Sequence, residues 1–246
     1  MTPLATALPM SAPQAFLGVR LSLTNKLWRD RLDARGAARA LAMVQRYQLP
    51  EMLARVLAGR DVDIDAVNDF LDPTIRKLMP DPFTVTQMEA AAKRIADAAV
   101  RGEKVAIFGD YDVDGATSAA LLAWHLRHCG LDPLIHIPDR IFEGYGPNVE
   151  AIRALAGKGA TLLVTVDCGT TSREPLAEAR RLGMSVVVID HHQCGEELPE
   201  VEALVNPNRP DDLSGLGYRA AVGLTLVTLV AVNRELRGRG FWSGTR

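Results

Sequence analysis

The chain has 246 residues, with 28 Lys+Arg against 30 Asp+Glu and a formal net charge of −2. Hydrophobic residues make up 48% and charged residues 24%, enough apolar surface to exclude disorder throughout and to fill one large domain or two small ones. The longest nearly apolar run, Ala220 to Val232, is interrupted by Gly223, Thr225 and Thr228 and falls short of the ~20 residues a membrane-spanning helix needs, so no membrane association is expected.

Residues 1–15 are rich in Ala, Pro and Thr without apolar periodicity and read as a flexible tail. Residues 16–85 read as a small helical region. One helix is expected over Ala37–Tyr47, and Pro50 opens a second with Met52, Leu53, Val56 and Leu57 at helical spacing. Asp63 is expected to cap a third that carries Ile64, Val67, Phe70 and Leu71, and Asp72-Pro73 stops it. Pro80 and Pro82 mark a connection. From residue 86 to 246 the pattern alternates. Helices are expected over Gln87–Arg101, Ala116–Cys129, Val149–Ala156, Glu174–Leu182 and Arg219–Leu236. Short apolar strands are expected at Lys104–Gly109, Leu134–Ile137, Thr161–Val166, Ser185–Ile189 and Ala203–Val205. This is the signature of an α/β domain, a parallel sheet with helices on both faces. Cys129, Cys168 and Cys194 show no paired spacing, and the N-terminus lacks the basic start and apolar stretch of a secretory leader; both point to the cytoplasm.

Three of the strands run into acidic residues. The first continues into Asp110-Tyr-Asp112-Val-Asp114-Gly115, the third into Asp167-Cys168-Gly169, the fourth into Asp190-His191-His192. In an open parallel sheet, ligands sit outside the C-terminal strand ends, so these carboxylates and imidazoles are expected to share one edge. Two unit charges 4 Å apart interact by ~4 kcal/mol at an effective dielectric near 20. The cluster therefore calls for divalent cations, and oxygen and imidazole donors suit Mn²⁺ or Mg²⁺. Each piece also has a structural alternative: Asp110 or Asp114 as a helix cap, Asp167 as a turn residue, the two histidines as ordinary surface side chains. The N–H groups opening a helix at Gly115–Ser118 are expected to receive a phosphate oxygen. Dications beside such a helix describe phosphoester hydrolysis.

The segments IFGDYDVDGATSAALL, VTVDCGTTS and Asp190-His-His192 resemble the first three motifs of the DHH phosphoesterases, in the branch of single-stranded-DNA-specific exonucleases. The flanks LDPTIRKLMPDPF and IPDRIFEGYGPN add to the resemblance. It implies 5′-to-3′ removal of nucleotides from single-stranded DNA in repair and recombination, with a single-stranded-DNA-binding protein or a helicase as partner. It also implies Asp110, Asp112, Asp167 and His191 as metal ligands, with Asp167 bridging two ions. His192 would contact the scissile phosphate and Asp190 would orient a neighbouring imidazole. Asp114 stays open as ligand or cap. Some relatives carry a metal-binding His where this chain has Phe108. Family members continue for several hundred residues and carry a fourth acidic motif, so the chain is read as an N-terminal piece with an incomplete site and weak activity. Two alternatives remain: a phosphodiesterase of short oligonucleotides, cyclic dinucleotides or polyphosphate, and a non-catalytic scaffold.

Basic residues leave two further questions. Arg140 with Glu143-Gly-Tyr145-Gly146 reads either as a phosphate-contacting loop or as plain surface. Arg29, Arg31, Arg35 and Arg39 read either as a track for a nucleic-acid backbone or as a solvated helix face.

Overall fold

The computed structural model describes residues 15–243, so the expected tail lies outside the described residues apart from Ala15. The chain divides into two compact units, with the boundary between Met79 and Pro80 instead of after residue 85. Residues 80–85 join the second unit for identifiable reasons. A 3-10 turn, Pro82–Thr84, packs on the helices Met88–Arg101 and Ala221–Gly238 of that unit, and Asp81 pairs with Arg234 at 2.8 Å.

The first unit is a small helical body. Helix α1 (Ala34–Tyr47) starts earlier than its apolar pattern suggests because Asp33 caps it, accepting the Gly36 N–H at 2.7 Å. It packs on α2 (Glu51–Gly59), and Ala40, Met43, Ala54, Leu57 and Val67 fill the space between. The expected third helix is only α3 (Val67–Leu71), preceded by a 3-10 turn that Asp63 enters without a side-chain cap bond. Val67 is buried but Phe70 and Leu71 are exposed. A single turn, α4 (Ile75–Leu78), follows.

The second unit is a five-stranded, all-parallel sheet covered by helices. The elements are α5 (Met88–Arg101), β1 (Val105–Gly109), α6 (Val113–His128), β2 (Leu134–His136), α7 (Val149–Gly157), β3 (Leu162–Val166), α8 (Arg173–Arg181), β4 (Ser185–Ile189), β5 (Ala203–Val205) and α9 (Ala221–Gly238). The strand order is β2-β1-β3-β4-β5. Each strand matches its expected position to within a residue or so, since continuous apolar runs are what a sheet covered on both sides demands. Alternation splits these runs. Phe108, Leu163, Val186 and Val188 pack with Ile152, Leu155 and Leu176 of α7 and α8, while Ile107, Val164 and Val187 bury toward α5, α6 and α9 on the other face. The chain leaves β1 in one direction along the sheet and returns to β3 on the other side. The gap between β1 and β3 is thus the switch point, where an open α/β sheet forms its ligand crevice. Among the described residues no helix is long and apolar enough to cross a membrane.

Candidate metal centre

Register builds the centre. Gly109, Val166, Ile189 and Val205 lie in line across β1, β3, β4 and β5. The next residue of each strand donates its N–H to the neighbouring strand: Asp110 to Val166 O at 3.3 Å, Asp167 to Ile189 O at 2.9 Å, Asp190 to Val205 O at 3.0 Å. Asp110, Asp167, Asp190 and Asn206 therefore form one row along the sheet edge, all buried. Asp167 adopts a left-handed backbone, φ 62°, a costly conformation for a residue with a Cβ. α6 packs directly on this row. A Cβ at Gly115 would stand 2.5 Å from the Asp110 carbonyl oxygen, so only glycine lets the helix start there.

The three carboxylates of the first motif have different duties. Asp112 caps α6, its Oδ1 accepting Asp114 N–H at 2.9 Å and Gly115 N–H at 3.0 Å. This corrects the expected phosphate cradle at Gly115–Ser118: the helix begins at Val113, and its early N–H groups bond the Asp112 side chain or, for Ala116, the Asp112 carbonyl. Asp114 reaches across the fold and caps α9, accepting Ala221 N–H at 2.7 Å and Val222 N–H at 2.8 Å. Its Oδ2 also lies 3.6 Å from His191 Nε2. Asp110 makes no such bond, and its Oδ1 is buried without a hydrogen-bond partner.

Asp167 is the shared member of the cluster. Ligand atoms of Asp110, Asp112 and Asp167 lie within 4.8 Å of one another, and so do those of Asp167, His191 and His192. Burial, reinforced by the Asp114 and Asp112 carboxylates, pushes the Asp167 carboxyl up to about 8. Burial likewise raises Asp110, whereas the Gly115 N–H holds Asp112 low. His191 Nδ1 lies 2.9 Å from the Arg219 carbonyl. A carbonyl only accepts, so Nδ1 carries a proton, and Nε2 stands 3.2 Å from Asp167 Oδ1. That oxygen too is buried without a hydrogen-bond partner. Buried carboxyl oxygens without hydrogen-bond partners, gathered beside an imidazole nitrogen, are a donor set suited to a divalent cation.

Asp190 works one layer back. Its Oδ1 accepts the His191 and His192 N–H groups at 2.7 and 3.2 Å and bonds His192 Nδ1 at 2.8 Å, while Oδ2 accepts Thr170 N–H at 3.0 Å. Burial alone would raise this carboxyl, yet the bonds from His192 and Thr170 hold it at about 2. The Asp190 bond raises His192 in turn. Sequence reasoning missed Asn206 and Asn208. Asn206 Nδ2 donates to Thr170 Oγ1 at 3.0 Å and to the His192 carbonyl at 2.9 Å; Asn208 Nδ2 donates to the carbonyls of His191 and Gly217. Their position directly after β5, at the same edge as the acidic motifs, was the available signal. Phe108 is fully buried against the His136 ring, 5.0 Å centroid to centroid. In the loop after β2, Asp139 and Glu143 are spent on internal bonds. Arg140 lies over the Tyr111 ring at 4.9 Å, and Tyr145 OH donates to the Asp167 carbonyl at 3.3 Å.

Residues 104–237 match the profile of the DHH family, N-terminal domain. The chain belongs to the DHH family. The single-stranded-DNA-specific exonuclease RecJ of Bacillus subtilis is 41% identical over 156 residues, 63% of this chain and 20% of that protein. RecJ of Escherichia coli is 33% identical over 196 residues, 79% of this chain and 33% of that protein. Among solved structures, an exonuclease RecJ bound to manganese superposes on the DHH chain with a TM-score of 0.57 at 32% identity, covering 62% of this chain and 38% of that one. RecJ from Thermus thermophilus in complex with Mn²⁺ gives a TM-score of 0.64 at 25% identity, covering 81% and 28%. The chain thus spans about a fifth to a third of the length of these curated relatives.

Proposed function

We propose that this DHH chain is the metal-holding part of a RecJ-like nuclease that hydrolyses phosphodiester bonds of single-stranded DNA in the cytoplasm. The observation that carries the reading is the paired orphan oxygens, Asp110 Oδ1 and Asp167 Oδ1, at the switch point of the sheet. The likeness to manganese-bound RecJ supports it, and Cys168 and Cys194, neither in a disulfide, fit a reducing compartment.

In this reading Asp110, Asp112, Asp167 and His191 would hold Mn²⁺ or Mg²⁺, Asp167 being the member shared by the two side-chain groups. Asp114 stands 3.6 Å from His191 while it anchors α9. Divalent cations bound there supply charge stabilisation on the phosphodiester and make water a nucleophile at neutral pH. The protein's own groups supply orientation. The Arg219 carbonyl fixes the His191 tautomer, and Asp190 holds His192 by Nδ1 so that Nε2 faces outward to a phosphate oxygen. Arg140, stacked on Tyr111, brings a cation to the same mouth.

The test is release of nucleotides from labelled single-stranded DNA in Mn²⁺, with EDTA and duplex DNA as controls. Release that needs the metal, prefers the single strand and disappears in Asp167→Ala supports the reading. Equal release in EDTA, or from Asp167→Ala, contradicts it.

A further inference from the structure

The four arginines singled out in the sequence all belong to the N-terminal unit. Two adjoining concavities, of about 450 and 400 Å³, share Arg31, Leu32 and Gly59 as a common wall. Arg29 and Arg60 line the first, Arg35 and Arg39 the second.

The balance of charge in this cleft is uneven. Every acid in it is already engaged. Asp30 pairs with Arg55 at 2.7 Å and accepts the Leu32 N–H, Asp33 caps α1, and Asp61 holds Arg39 at 3.3 Å. Among the described residues, Arg29, Arg31, Arg35 and Arg60 have no carboxylate within 4.0 Å. A solvated helix face would scatter such side chains; here they converge on a concave surface. Guanidinium groups are planar forks matched to phosphate oxygens. Phe16, 37% exposed, stands in the same wall, and an aromatic face beside a basic groove is how proteins hold unpaired bases without reading sequence.

We infer that this arginine cleft binds the sugar-phosphate backbone of single-stranded nucleic acid, with Arg29, Arg31, Arg35 and Arg60 on phosphates and Phe16 against a base. The choice of nucleic acid over other polyanions rests on the phosphodiester reading of the DHH domain. None of the five residues belongs to the metal centre.

The experiment measures anisotropy of fluorescent oligothymidylate on the whole chain in EDTA, across a salt series. Two double variants are compared with wild type: Arg31→Gln with Arg35→Gln, and Arg29→Gln with Arg60→Gln. Each removes two phosphate contacts, so the slope of log K against log salt should shrink by about 1.4, and affinity near 0.1 M salt should fall roughly tenfold. Mn²⁺-dependent hydrolysis of bis(p-nitrophenyl) phosphate should not change. Unaltered affinity and slope in either variant with a wild-type circular dichroism spectrum would overturn the inference. So would equally tight, equally arginine-dependent binding of polyglutamate, which would make the cleft a site for acidic peptide. If wild type binds DNA through the arginines but takes up no Mn²⁺ in calorimetric titration, the cleft stands and the nuclease reading falls.

Discussion

The two ends of the same sheet treat charge in opposite ways. At the N-terminal ends of the strands, Arg94 of α5 meets Glu103 at 2.6 Å just before β1, and its Nε donates to Ser185 at the start of β4. Thr161, just before β3, completes the set by donating to Glu103 at 3.0 Å. Both charged side chains are about 15% exposed, and all their principal bonds are made. At the C-terminal ends, Asp110 and Asp167 are more deeply buried and keep an oxygen without a partner. Charge satisfied within the fold holds elements together. Carboxyl oxygens left unsatisfied at the switch point stay available for something the fold does not itself provide.

The largest expected break of this contrast is Asp167→Asn. Metal-dependent hydrolysis should drop by about a thousandfold or more, while the urea midpoint of the metal-free protein stays the same or rises, because the amide is spared the cost of burying a carboxyl that the fold pushes to take up a proton. A lowered midpoint would mean that Asp167 is structural. Arg94→Ala should do the reverse. It leaves a largely buried Glu103 with only Thr161 at 3.0 Å and Arg101 at 3.7 Å, costing about 2 kcal/mol in urea unfolding, with metal affinity unchanged.

The same pair sharpens the contrast through pH. Burial raises Glu103, but the bonds from Arg94 and Thr161 outweigh it and hold the folded carboxyl below its ordinary 4.5. A depressed acid contributes stability that is full above the unfolded value and is lost as pH falls through the folded one. The wild type should therefore lose more stability than Arg94→Ala between neutrality and about pH 3, read from urea midpoints. Equal losses would remove the pair from the stability account.

The smallest effect separates the two roles within one motif. Asp112→Ala loses a helix cap, worth about 1 kcal/mol, as well as a candidate ligand, whereas Asp112→Asn keeps most of the cap. Parallel urea curves should place Asn between wild type and Ala, with both variants poor in Mn²⁺ binding. Indistinguishable stability of Ala and wild type would dismiss the cap.

These distinctions show what the sequence could reveal. Strand positions, the parallel sheet and the shared edge were legible because apolar runs ending in acids recur with the βαβ period. The row Asp110, Asp167 and Asp190 follows from register alone. Residue duties within the motifs were not legible. Asp114 caps a helix 107 residues further along the chain, a partnership no local pattern contains. The start of α6 at Val113 depended on which of three alternating aspartates turned back on the backbone, and local propensity favours none of them. The His191 tautomer is set by a carbonyl 28 residues away. Asn206 and Asn208 lie in Asn-Pro-Asn, which reads as an ordinary turn until β5 is placed beside β4.

The most direct measurement is calorimetric titration of Mn²⁺ into the wild-type chain and into Asp167→Asn under identical conditions. We expect saturable binding by wild type, accompanied by a rise in its melting temperature, and neither effect in Asp167→Asn. Absence of binding by wild type, or equal binding by the variant, would contradict a metal centre built on the unsatisfied carboxylates of the sheet edge.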